Sequence, residues 1–329
     1  MLAAAAAAPP VPLPGWLRRA VPDAQSLAAQ GPGPNALEDI AITAGAAIGA
    51  LDAVVRRQER WAGAWRQRLA LAAAAVATSQ AGRVEDEAGL RDAVLLTRPG
   101  DNVGPAGLLL LAWRRLAARP AEELLTKRNL AAVLEEFGRA HDDEAVNDLV
   151  DDLRQLASEG TVEMMTGAIA SAERRGYGRA VGAWLADALL AQRLGWSRAV
   201  PLLGTEVALG VGSGRSRRPA PPVATTGIEV GSEQAKCLLA AQARAALRAI
   251  DLSAELERRA DRLLAVAPKL RAKAADLVVE RLLSDDAIVA SQKIAGMSDR
   301  GLRRLFDRLV ELGAVRELSG RTTSRTYGL

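Results

Sequence analysis

An all-α fold is what this sequence predicts: an irregular helical bundle closed by a small C-terminal winged helix-turn-helix, three helices plus a two-stranded wing. Three observations carry that expectation. Apolar residues recur at three-and-four spacing through most of the chain, with alanine filling many of the positions. No alternating strand pattern occurs before residue 314. The last sixty or so residues run helix, short helix, tight turn, arginine-rich helix and hairpin.

Residues 1–34, rich in Ala, Pro and Gly, read as a flexible lead-in. The bundle domain spans 35–268. Asn35 is placed to cap its first helix, with Glu38 three residues on, and that helix reaches about Arg57. Its small residues, Ala44 to Ala50, suit close packing in a core. Trp61 and Trp65 open a helix over Ala62 to Ser79, and Val84 to Thr97 forms the next, supported by the Glu87–Arg91 pair. Arg98 to Asp101 is a turn, and Pro105 stands in the first turn of a helix to about Ala118. Helices around 121–138, 143–158 and 161–175 are more charged, whereas Gly178 to Leu194 is strongly apolar between Trp184 and Trp196. A short helix to about Leu209 precedes a Gly/Pro/Ser/Arg linker over 210–231. Ser232 to Ile250 and 252–267 give two final helices.

The C-terminal domain, 269–329, follows from local signals. Pro268 to Ser284 is amphipathic, Asp285 and Asp286 break it, and Ile288 to Ala295 makes a short helix stopped by Gly296. Ser298 caps a helix from Asp299 to Leu312 whose stripe is Leu302, Leu305, Phe306, Leu309 and Leu312. Ala314 to Leu318 and Thr322 to Tyr327 are the wing strands around Ser319-Gly320.

With that stripe inward, Arg300 and Arg304 point outward and Arg303 stands at the flank. Arginine in a first turn opposes the helix dipole, so its presence asks for another reason; a recognition helix meeting phosphates and base edges supplies one. Arg321 and Arg325 would lie on the wing, within reach of the flanking backbone. The plainer alternative is a solvated charge ladder built on Arg303–Asp307 and Arg308–Glu311.

Charge agrees with the first reading. The formal net charge of the 329 residues is +4, and 269–329 holds 12 basic and 8 acidic residues, so the whole excess lies in the predicted DNA module. Hydrophobic residues make up 49%, enough for a sizeable core, while aromatics at 3% leave no stacking platform for single strands. One cysteine, Cys237, excludes an internal disulfide and suits a cytoplasmic setting. With a single histidine as well, a His/Cys metal site is excluded. The alanine run after Met1 lacks a basic n-region, and no apolar stretch nears the roughly 18 residues of a membrane span, so no membrane association is expected.

Little chemistry is legible in the body. Gly210 to Gly214 resembles a phosphate loop only superficially, since no strand precedes it and no Lys-Ser/Thr follows. No cofactor motif and no catalytic residue stand out, so an enzyme is the less favoured class. His141 beside Asp142, Asp143 and Glu144 reads as a capped helix start. Asp52, Asp92 and Asp187 are lone carboxylates in apolar helical runs and need cations or donors. Arg66, Arg68, Arg91, Arg114 and Arg193 could provide them, either as separate helix-to-helix ion pairs or around one polar pocket formed by Asp52, Asp92, Asp187, Arg66 and Arg91.

Several stretches carry a family resemblance: Trp61 to Leu69, Glu85 to Val94, Thr97 to Asp101 with Gly104 to Gly107, Trp184 to Asp187 with Ala191 to Trp196, Ala267 to Lys273, and Leu302 to Leu329. In these the chain resembles the family known as domain of unknown function 1403, over nearly its whole length after the first thirty or so residues. The resemblance implies a bacterial, often plasmid-associated protein and brings no activity or cofactor with it.

Three functions follow as expectations. The first is a DNA-binding protein, a regulator whose body oligomerises or senses an effector, with duplex DNA as partner and a homodimer plausible from two-fold DNA sites. The second is an adaptor whose winged helix docks on a protein partner. The third is a ligand-binding or enzyme domain around the three aspartates.

Overall fold

The computed structural model describes residues 13–23, 36–98, 100–207, 227–270, 274–321 and 324–329. Helices dominate them, as the apolar periodicity predicts. They are α1 (Gly15–Ala20), α2 (Ala36–Arg56), α3 (Ala62–Gln80), α4 (Glu87–Leu95), α5 (Gly104–Ala118), α6 (Lys127–Glu136), α7 (Asp143–Leu156), α8 (Thr161–Arg174), α9 (Arg179–Arg193), α10 (Gly227–Val266), α11 (Ala275–Ser284) and α12 (Asp299–Glu311). Three short strands, β1 (Ile288–Val289), β2 (Arg316–Glu317) and β3 (Thr326–Gly328), form an antiparallel sheet in the order β1-β3-β2.

Close helix packing rests on small side chains. α10 lies against α2, α9 against α8, and α3 against α5. Ala44 and Ala47 of α2 and Ala240, Ala241, Ala243, Ala245, Ala246 and Ala249 of α10 are all buried. Gly45 and Gly49 are not part of that seam: both are exposed, with open space where a Cβ would stand. Trp65, Trp113 and Trp184 fill the wider gaps and are fully buried. Two of these indoles tie neighbouring helices together: Trp65 Nε1 donates to the Ala249 carbonyl and Trp184 Nε1 to that of Ala112, both at 2.9 Å. Buried Glu206 accepts from Arg244 and Arg248 of α10, a paired charge rather than a bare one.

The structure corrects several expected elements. The two helices expected at 232–250 and 252–267 are one 40-residue helix, because nothing between Ile250 and Ser253 breaks the ladder. The linker therefore ends sooner than residue 231, since Gly227 to Gly231 already lie in α10; residues 208–226 are outside the described residues, as is the Asn35 cap. After Gly195 comes only a short 3-10 turn, Leu203–Thr205. The lead-in contains α1, anchored by buried Leu17 and by an Arg18–Asp251 ion pair at 2.5 Å.

The C-terminal segment departs most. Ile288 to Ala295 is not a helix: Ile288 and Val289 are buried β-branched residues paired with Tyr327 and Thr326, and strand pairing wins over two unsupported helical turns. The first helix starts at Ala275, not Pro268, and the sheet has three strands, not two. α12 follows its prediction except at its end: Ser298 accepts from Gly301 N at 3.2 Å and Leu302, Leu305, Phe306 and Leu309 are buried, whereas Leu312, expected in the same stripe, lies just past the helix and is exposed. Phe306 stacks on Tyr327 of β3, centroids 4.3 Å apart.

Gly63, in the first turn of α3, fixes how closely the C-terminal segment approaches: a Cβ there would lie 2.7 Å from the Ser284 Cα. Backbone cannot yield as a side-chain tip can. Gly63→Ala is therefore expected to cost roughly 1–3 kcal/mol of stability, read as a lower urea midpoint; an unchanged midpoint would show that α3 and α11 stand further apart.

Candidate functional site

The body and the C-terminal segment meet around one carboxylate. Asp286, two residues before β1, is fully buried and pairs with Arg68 of α3 and Arg91 of α4. Arg91 donates Nε–H to Oδ2 at 2.5 Å and Nη2–H to Oδ1 at 3.3 Å. Burial alone would raise the Asp286 pKa, but Arg68, Arg91 and nearby Arg114 outweigh it and hold the carboxyl below its usual value. Arg68 also reaches the carbonyls of Asp286 and Leu329, both at 3.4 Å, and Arg259 donates to the Leu329 carbonyl at 3.0 Å.

This docking divides the five arginines predicted to meet DNA. Arg321 pairs with Asp92 of α4, and Arg325 lies 3.7 Å from Glu317 while donating to the Arg321 carbonyl. Both wing arginines are thus engaged within the chain. Arg300, Arg303 and Arg304 are exposed on α12, and no carboxylate pairs with them among the described residues. The ladder alternative is met only in part: Arg308–Glu311 forms at 3.0 Å, whereas no Arg303–Asp307 pair does.

Nor does one polar pocket gather the three aspartates. Asp52 pairs with Arg56 at 2.7 Å and accepts from Trp196 Nε1 at 2.8 Å. Asp92 belongs to Arg321. Asp187 accepts from Leu202 N at 2.8 Å and Leu203 N at 3.1 Å, capping the Leu203–Thr205 turn from inside the core. Burial lifts its pKa from 3.8 to about 7, against the opposing pull of those backbone N–H groups. Arg66 donates to the Ala117 carbonyl at 3.1 Å, and Arg198 to Ala118 at 2.9 Å, so two cations satisfy the C-terminal end of α5. Burial, then the neighbouring Arg198 charge, brings Arg66 down to about 10. Arg91 serves Asp286 and stands 3.7 Å from Glu87. Each carboxylate has its own partner: Asp52 pairs within its own helix, while Asp92 and Asp187 meet groups on other elements. His141 is half-buried, and it is Asp142 that caps α7, accepting from Ala145 N at 2.8 Å.

From its sequence context Asp286 reads as a helix breaker alone. Its only signal of a deeper role is its place directly ahead of the apolar run Ala287 to Ala290, where a carboxylate must enter the core with its strand.

The sequence pattern of the family described as Protein of unknown function (DUF1403) matches residues 4–329. The chain belongs to that family. No curated protein and no solved structure matches it. Within this family member no helix among the described residues is long and apolar enough to cross a membrane.

Two measurements test these carboxylates. Asp286→Ala leaves buried guanidinium groups facing no anion and is expected to cost about 3–5 kcal/mol in chemical denaturation; a loss under about 1 kcal/mol would mean the pairs are open to solvent. Asp187, with its folded pKa raised, contributes stability that is full below pH 3.8 and is lost as the pH rises through about 7. Asp187→Asn should flatten the pH dependence of the unfolding midpoint across that window, and an unaltered slope would assign it to other groups.

Proposed function

We propose that this chain is a DNA-binding protein, a regulator in character, that meets duplex phosphates through the exposed face of α12. One observation carries the reading: Arg300, Arg303 and Arg304 stand exposed and without carboxylate partners among the described residues, on a helix whose other face is buried. Unpaired guanidinium groups beside a positive helix start are unfavourable for folding and favourable for an anion. The whole of the chain's excess positive charge lies in 269–329, which further supports it.

The element order from α11 to β3, with a sheet that closes beneath α12, supports a winged helix-turn-helix whose second helix is replaced by an extended turn. Recognition then rests on α12 rather than on the wing, because Arg321 and Arg325 already serve Asp92 and Glu317. A cytoplasmic location is part of the same proposal.

The test is duplex binding by the full chain at several salt concentrations. Arg300→Ala with Arg304→Ala should weaken binding and reduce the log K against log salt slope by roughly 2, about one unit for each phosphate no longer neutralised. Binding that survives both changes removes this face as the site. No duplex shift at low salt, with a stoichiometric protein partner retained instead, would turn the reading to protein docking.

A further inference from the structure

A cleft of about 840 Å³ opens on the helical body, away from α12, where the end of α3, the start of α5, the end of α6 and the start of α9 converge. Its size falls within the roughly 300–1,000 Å³ typical of small-molecule sites. Leu108 and Leu109 of α5, with Phe137 at the end of α6, give it an apolar wall. Leu108 and Leu109 remain partly exposed there, which leaves apolar area for an occupant to cover.

The charges on the rim are unequal. Arg83 pairs with Glu85, and Glu136 is held by Arg115 through two hydrogen bonds, one of 2.9 Å, so these charges are already balanced. Glu173 and Arg179, one of each sign, stand on the same rim. Arg139 is the cation left over: it is exposed, and no carboxylate pairs with it among the described residues. Its guanidinium lies over the first turn of α9: a Cβ on Gly178 would stand 3.2 Å from Arg139 Nη2. That turn begins at Gly178 with no side-chain cap and no acidic residue, so a cation faces the positive end of a helix dipole that its own first turn does not offset.

A second, independent feature lies behind the wall. A chamber of about 10 Å³, bounded by Ala77, Arg179 and Ala180 of the cleft, is lined also by Trp113. Trp113 is completely buried and its Nε1–H meets no hydrogen-bond acceptor among the described residues, unlike the indoles of Trp65 and Trp184. Its ring meets Phe137 of the cleft wall edge-on, centroids 6.1 Å apart.

We propose that this cleft binds a small amphipathic organic anion, its apolar body against Leu108, Leu109 and Phe137 and its charged group between Arg139 and the first turn of α9. The anion relieves the opposition between guanidinium and helix dipole, and the apolar body covers the leucines. This site is independent of the α12 reading and would stand if that reading fell.

The full chain is titrated with 8-anilinonaphthalene-1-sulfonate as the fluorescent probe, then with decanoate and decan-1-ol as competitors. Saturable probe binding is expected, with decanoate the stronger competitor. Arg139→Gln should weaken the probe and decanoate roughly tenfold, the scale of one charge-assisted hydrogen bond, while leaving decan-1-ol nearly unchanged. Leu109→Glu, at a partly exposed helical position, should weaken all three without altering helical content by circular dichroism. Absence of saturable binding overturns the proposal. So does probe binding that both variants leave intact, or equal competition by decanoate and decan-1-ol.

Discussion

The C-terminal segment is held in place by the charge balance around Asp286. A carboxylate taken fully out of water is tolerated only when cations and donors replace its hydration, and here Arg68 and Arg91 arrive from two different helices to do so. That single residue therefore fixes α3, α4 and the start of β1 relative to one another. Two residues on from Asp286, Ile288 pairs with Tyr327 in the sheet. The fit is close enough that a Cβ at Gly328 would lie 2.5 Å from the Asp286 carbonyl oxygen. Hydrophobic burial of Ile288, Val289, Phe306 and Tyr327 supplies attraction, but it is non-directional; the ion pairs supply the position.

The same docking sorts the cations into two populations. Arg68, Arg91, Arg259 and Arg321 are engaged inside the fold with Asp286, the Leu329 carbonyl and Asp92. Arg300, Arg303 and Arg304 are left facing water on a helix that packs through its leucines and Phe306. Composition cannot make this distinction, because all seven are the same residue type within one nearly neutral chain. Only the neighbours brought by folding decide which charges are structural.

What is legible in advance is what is decided locally. The α12 stripe from Leu302 to Leu309, the Ser298 cap and Pro105 in the first turn of α5 depend on residues within one or two turns of each other, and the structure has all three. Ile288-Val289 does not read as a strand because two β-branched residues between breakers carry no period; the distant Thr326 and Tyr327 settle their conformation. Ser232 looks like a cap by type, yet it lies inside a helix that starts at Gly227, since a serine side chain does not declare which end of a helix it serves. Asp52, Asp92 and Asp187 look alike as isolated acids in apolar runs. Arg56 stands four residues on in Asp52's own helix, but Asp92 and Asp187 are met by Arg321 and by the backbone of Leu202 and Leu203, on other elements that no spacing rule reports.

The alanine seam between α2 and α10 bears on how this fold can drift in sequence. Where an alanine methyl group is what a buried position offers, there is no rotamer to change, so a larger side chain has little room to adjust within its own site. Glycine, alanine and serine are the residues such a position accepts, and any larger side chain must push the helices apart along their length.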